Sequence, residues 1–190
     1  MPRLSYEQPE WLDNLTSGNE AQRNAAFRSM LSEWQRPVYY HVRRMLGNHS
    51  DADDVVQETF IQVHRSVHKF RKDAQFSTWL FTISGRKALD WIRKNERHRS
   101  TSLDEVFALR DSDLATDVLY GGDEIERRLD AAVLSLPPKQ RQVFTLRYFQ
   151  KMKYQEMSKI TGTSEGALKA SYYHAVRKIK KHVALESVGL

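Results

Sequence analysis

Residues 154–181 read YQEMSKITGTSEGALKASYYHAVRKIKK, a short amphipathic segment, a break at a glycine, and a longer segment carrying Tyr, His, Arg and Lys. Two closely crossing helices need a small residue in the first and a residue tolerant of positive φ in the turn, and Ser158 and Gly162 supply them. Thr163 is placed to cap the second helix, with Glu165 in its first turn where the helix dipole favours negative charge. On a helical wheel Leu168, Tyr172, Ala175, Val176, Ile179 and Val183 share one face, which predicts burial. Gly166, Ala170, Tyr173, His174, Arg177 and Lys181 share the other, flanked by Lys169, Lys178 and Lys180. Small residues near the amino end let the backbone approach DNA, and the cations beyond them meet phosphate. The stretch therefore predicts a helix-turn-helix whose second helix enters a major groove. The competing reading is a helical hairpin with a solvated basic face.

The charge around this stretch points the same way. The chain has 190 residues, formal charge +6 and 40% hydrophobic residues, enough for one ordinary domain or two small ones. Residues 137–182 hold 11 Lys/Arg against two acids, Glu156 and Glu165, a balance expected of a surface that meets phosphate. Residues 100–126 invert it, with eight acids against Arg110 alone, whereas residues 1–99 hold 16 basic and 12 acidic side chains. No cysteine is present, which excludes disulfides, thiolate metal sites and cysteine nucleophiles. No apolar run approaches the ~20 residues of a membrane span and no leader pattern opens the chain, so the expected location is the cytoplasm.

Apolar residues recur at helical spacing almost throughout, and the predicted fold is all-α: two small helical domains joined by an acidic flexible linker, with no internal repeat. Pro37 reads as the first residue of a helix ending before Gly47, and Ser50 with Asp53 as a capping-box start for the next, which runs to about Phe70. Ser77 is the expected cap of a further helix through residues 93–99. No helical face emerges between residue 100 and about residue 122, and LSLPPKQRQVFTLRYF restarts a helix at its paired prolines. The expected boundaries are 1–99, 100–126 for the linker, and 127–190. The linker reads equally as a solvated tether or as a negatively charged occupant of a partner's basic channel.

In the helix from Ser50, Val55, Val56, Phe60, Val63 and Val67 face the expected core. Opposite lie Asp54, Gln57, Glu58, Ile61 and Arg65, an apolar anchor in a polar rim that reads either as a protein-binding surface or as an ordinary exposed face. Asp51, Asp53 and Asp54 suit a helix start better than a metal, because no matching ligand set is evident. The next stretch interleaves Phe70, Phe76, Trp79, Phe81 and Trp91 with Arg86, Arg93 and Arg97, which line up on one helical face with Asp90 among them. Aromatic planes beside a cationic track suit unpaired nucleic acid, and core packing with a solvated basic edge is the alternative.

Taken together, DADDVVQETFIQVHRSVHKF, FSTWLFTISGRKALDWIRK and LPPKQRQVFTLRYFQKMKYQEMSKITGTSEGALK, with the Ala-Val-Arg-Lys that follows, resemble the extracytoplasmic-function group of bacterial RNA polymerase sigma factors over residues 21–181. The resemblance implies a subunit without covalent chemistry or cofactor. Its first domain would grip the clamp helices of core polymerase through Asp54, Gln57, Glu58 and Ile61. Phe70, Phe76, Trp79, Arg86, Arg93 and Arg97 would capture the melted minus ten element, and the linker would thread toward the polymerase active-site and RNA-exit region. The second domain would read the minus thirty-five element of promoter DNA beside the β-flap, through Lys169, Tyr173, His174, Arg177, Lys178 and Lys181. An anti-sigma partner, often membrane-anchored in this family, is also implied. Gly85 and Arg86 depart from a frequent Arg-Asn, Ala170, Ser171 and Tyr172 from Ser-Arg-Leu, His174 from a frequent Arg, and Lys153 from a capping Ser or Thr, so the promoter sequence does not follow.

Two rivals remain at this level. A helix-turn-helix repressor would bind duplex DNA alone, but leaves the stretch from Phe70 to Arg97 and the Ile61 stripe without a purpose. A helical metal enzyme is prompted by His64 and His68 at i,i+4, yet lacks the Glu after the first His and any obvious third ligand.

Overall fold

The computed structural model describes residues 9–70, 75–99 and 124–187. Among them there is no strand, and two helical domains pack together. The first holds α1 (Leu12–Ser17), α2 (Glu20–Leu46), α3 (His49–Ser66), a 3-10 turn (Val67–Lys69) and α4 (Phe76–Arg99). The second holds α5 (Glu124–Leu134), α6 (Pro138–Phe144), a π-turn (Thr145–Phe149), α7 (Tyr154–Thr161) and α8 (Glu165–Ser187). The acidic stretch up to residue 123 lies outside the described residues.

Helix α2 corrects the sequence reading, because Pro37 sits inside it rather than at its start. Its amino end is a capping box at Asn19, whose side chain accepts from the Gln22 N–H at 2.9 Å while Gln22 Oε1 accepts from the Asn19 N–H at 2.9 Å. An interior proline costs about 3 kcal/mol, but full burial of each Val- or Met-sized side chain contributes roughly 1.5–3 kcal/mol. The buried stripe Ala26, Met30, Trp34, Val38 and Val42 runs at i,i+4 straight through the proline and outweighs it. The helix ends where expected, at Gly47 with φ 81°.

The caps shift elsewhere too. Asn48, not Ser50, caps α3, its side chain accepting from the Asp51 N–H at 3.1 Å. Ser77 lies within α4, which begins at Phe76. Helix α5 was not anticipated, and it supplies Ala132 and Val133 to a small cluster with Leu136, Phe144, Ala175 and Ile179. The larger cluster crosses between domains, from Val63, Leu80, Phe81 and Ala88 to Val143, Leu146, Met157, Ile160 and Leu168.

Candidate nucleic-acid and polymerase interfaces

Lys153 stands at the cap position before α7, its N–H donating to Glu156 Oε2 at 2.9 Å; a lysine side chain has no acceptor to return the bond, so the box is half made. Gly162 closes the helix with φ 66° and its N–H donating to the Ser158 carbonyl at 2.9 Å. A Cβ on Gly162 would meet nothing within 4 Å, so positive φ alone calls for glycine. The cap of α8 is Ser164 rather than Thr163: Ser164 Oγ accepts from the Ala167 N–H at 3.3 Å, while Thr163 bonds back to Thr161.

In α8, Leu168, Ala175 and Ile179 are buried and Tyr172, Val176 and Val183 half-buried, with the Tyr172 ring stacked 5.8 Å from that of Phe144. Its outer face exposes Gly166, Lys169, Ala170, Tyr173, His174, Arg177, Lys178 and Lys181 together, and Tyr173 is 59% exposed. The Arg177 guanidinium lies 5.9 Å from the Tyr173 ring and Lys169 Nζ 5.7 Å from the Tyr154 ring, so both cations lean along aromatic surface.

On α3, Val55, Val56, Phe60 and Val63 point inward, and Asp54, Gln57, Glu58 and Ile61 outward, Ile61 being 45% exposed. Glu58 also meets Lys87 of α4 at 3.0 Å, a solvated pair worth little to stability. On α4, Arg86 and Arg93 are exposed, Arg93 pairing with Asp90 at 3.0 Å; the Arg97 side chain lies outside what is described.

Two expected contact residues belong to the core instead. Phe76 is 2% exposed, its ring edge-on to Trp11 at 5.0 Å and Trp34 at 6.2 Å, and Phe70 is buried against it at 5.7 Å. Trp79 is half-buried, 5.3 Å from Phe70 and 5.7 Å from Phe76, so the two phenylalanines support Trp79 rather than offer faces of their own. The basic tally of the second domain also overstates its surface. Arg141 is 5% exposed and donates to the carbonyls of Met45, Leu134 and Leu136, and Arg147 Nη1 donates to the Met152 carbonyl at 2.7 Å.

What sequence reasoning missed is the junction between the domains. Arg44 Nε meets Asp130 Oδ1 at 3.1 Å, both buried, and the same guanidinium lies 3.8 Å from the Phe149 ring. Burial pushes the Asp130 carboxyl up more than Arg44 pulls it down. His41 is fully buried, and no described residue hydrogen-bonds its ring nitrogens. Burial, reinforced by Arg44, lowers its pKa to about 3. No pattern signals these residues, since a buried Arg or His reads like an exposed one in sequence. No group of three potential metal ligands occurs among the described residues, and no described helix is long and apolar enough to cross a membrane.

A helix-turn-helix with an exposed cationic second helix, joined to a helical domain with an aromatic and basic helix, defines a DNA-binding transcription protein. The family description Sigma-70 region 2 matches residues 30–98, and Sigma-70, region 4 matches residues 126–179. The chain is 28% identical over 163 residues to the ECF RNA polymerase sigma factor SigX of Bacillus subtilis, covering 84% of each chain. Its fold is similar to that of the sigma factor RpoE of Bartonella quintana, solved in complex with the anti-sigma factor NepR (TM-score 0.69, 22% identity, 83% of this chain and 96% of that one). It is likewise similar to CnrH, solved with the cytosolic domain of CnrY (TM-score 0.66, 22% identity, 95% and 97%). The chain belongs to the extracytoplasmic-function sigma factors, which direct RNA polymerase to promoters.

Proposed function

We propose that this sigma factor divides promoter recognition between its domains, the first gripping core polymerase and the melted minus ten element, the second reading the minus thirty-five element. The observation that carries the reading is the segregation on α3 and α8: on each, the wheel's apolar face is buried and the proposed contact face is exposed. Asp54, Gln57, Glu58 and Ile61 form the core-polymerase surface, with Ile61 as its apolar anchor. Trp79, Arg86 and Arg93 meet the unpaired strand, with Arg97 continuing their face, while Phe70 and Phe76 hold Trp79 in place. Lys169, Tyr173 and Arg177, beside His174, read base edges, and Lys178 and Lys181 hold phosphate. The domains run over 1–99 and, with the expected boundary of 127 moved back to the start of α5, from Glu124 to 190, the acidic linker between them. An anti-sigma partner belongs to the same reading, supported by the neighbour RpoE, which was solved with the anti-sigma factor NepR.

The test is promoter-dependent transcription with purified bacterial core polymerase, together with a holoenzyme selection over randomised minus thirty-five sequences at fixed salt. Arg177→Ala should reorder the preferred sequences, losing roughly 1–3 kcal/mol of discrimination at an affected base pair. Lys178→Ala should weaken all sequences alike and reduce the salt slope by about one. An unchanged ranking for Lys169→Ala, Tyr173→Ala and Arg177→Ala would move the reading surface off α8.

A further inference from the structure

Helix α1 stands ahead of residues 30–98, which the Sigma-70 region 2 description matches, and neither proposed DNA face nor the polymerase surface uses it. Its six residues are too few to hold a helix in water, so its form depends on what it packs against. It lies against α2 and the 3-10 turn Val67–Lys69, with Leu12 and Leu15 only 1% and 2% exposed. Gly18 makes the return to α2 possible. A Cβ there would stand 2.5 Å from the Asn14 carbonyl oxygen and 2.9 Å from Gln22 Cβ, so a larger residue would push α1 away.

Trp11, just before α1, carries this packing to the start of α4. Its ring meets Phe76 edge-on at 5.0 Å, and its Nε1–H donates to Glu33 Oε2 on α2 at 2.9 Å. Phe76 lies 5.7 Å from Trp79, and Phe70 lies 5.7 Å from Phe76 and 5.3 Å from Trp79. The segment from Trp11 to α1 therefore holds the chain on both sides of residues 71–74, at the 3-10 turn before them and at Phe76 after them. The series Glu33, Trp11, Phe76, Trp79 ends on the half-buried ring proposed above to meet unpaired bases. A ring already fixed by its neighbours loses less freedom on stacking than one that must first be ordered.

We propose that Trp11 and Glu33 are positioning residues for capture of the unpaired strand: they fix Phe76, and through it the plane of Trp79, before DNA arrives. This rests on the minus ten reading given above and deepens it by naming what holds the ring that meets the strand. The Trp11–Glu33 hydrogen bond is exposed and adds little to stability, so its contribution is to orientation.

The experiment measures holoenzyme binding at fixed salt to two DNAs that carry the preferred minus thirty-five sequence from the selection above. One is a fork, duplex upstream with the minus ten element as a single strand; the other is a duplex that ends before the minus ten element. Trp11→Leu stays apolar but loses the ring and its N–H. It should weaken fork binding about threefold to tenfold, with duplex binding and core-polymerase affinity within about twofold of wild type. Glu33→Ala, on the exposed face of α2, should weaken fork binding about twofold to fivefold, and Glu33→Gln, whose amide oxygen still accepts from the indole, should restore it. The deciding arm is Trp79→Ala: adding Trp11→Leu to it should cause no further loss, because a positioning residue then has nothing left to position. Losses that add overturn the positioning role. If Trp11→Leu does not fold, the same cycle between Glu33→Ala and Trp79→Ala decides. A fork defect in Trp79→Ala alone, with Trp11→Leu and Glu33→Ala binding like wild type, overturns the brace and leaves the minus ten reading standing. Fork binding unchanged in Trp79→Ala removes the minus ten reading of that ring, and this proposal with it.

Discussion

The outer face of α8 and the aromatic start of α4, with Phe70 before it, carry the same ingredients, rings beside cations, yet the fold treats them oppositely. On α8 the wheel leaves Tyr173 exposed with Arg177 along it, whereas Phe70 and Phe76 are drawn under Trp11, Trp34 and Trp79. A regular helix with a strong apolar stripe fixes which residues are left outside. At the start of α4 the rings of several elements crowd together instead, and those set deepest fill the space that the neighbouring helices leave.

The widest separation between the two regions should be in stability. Phe76→Ala should cost about 3–5 kcal/mol in urea unfolding, because it empties the centre of a ring cluster. Tyr173→Ala should stay within about 0.5 kcal/mol. A Phe76→Ala chain of native stability that fails only in promoter melting would return Phe76 to the contact surface.

An intermediate effect should appear with pH. The folded His41 has a pKa lowered from 6.5 to about 3, so the unfolded chain binds the extra proton and stability present above pH 6.5 is lost as pH falls toward 3. Between pH 6.5 and about 5.5 this amounts to about 1 kcal/mol. Asp130, raised by burial, acts with the opposite sign, its folded carboxyl taking up a proton more readily as the solution becomes acid. Trp11, Trp34, Trp79 and Trp91 all lie in the first domain, so tryptophan emission during urea unfolding follows the His41 side of the molecule. His41→Leu should flatten the slope, and a slope that survives it would place the titration elsewhere.

The smallest effect concerns the start of α8. Ser164→Ala should cost about 1 kcal/mol, and Thr163→Ala less, measured on the same unfolding curve. The reverse order would restore Thr163 as the cap.

Periodic features were legible: the two domains, the helix-turn-helix, Gly162, and both faces of α3 and α8 follow from spacing alone. Helix starts were not, because Asn19, Asn48 and Ser164 compete with several nearby cap formers and local hydrogen bonds choose among them. Pro37 misled because its local cost is visible in sequence while the stripe that outweighs it becomes decisive only once α3 and α4 are packed against it. The interdomain residues stayed hidden for a related reason. Nothing near Arg44 in sequence announces Asp130, and 11 basic side chains counted together conceal that Arg141 serves carbonyl oxygens.

The 86-residue separation of Arg44 and Asp130 has a consequence during synthesis. At roughly 5–20 residues per second, the ribosome adds the second partner on the order of ten seconds after the first. Helices α1–α4 have then all been made, and Arg44 is still in water. For that interval the first domain has its whole sequence while the surface that will cover Arg44 has yet to be translated.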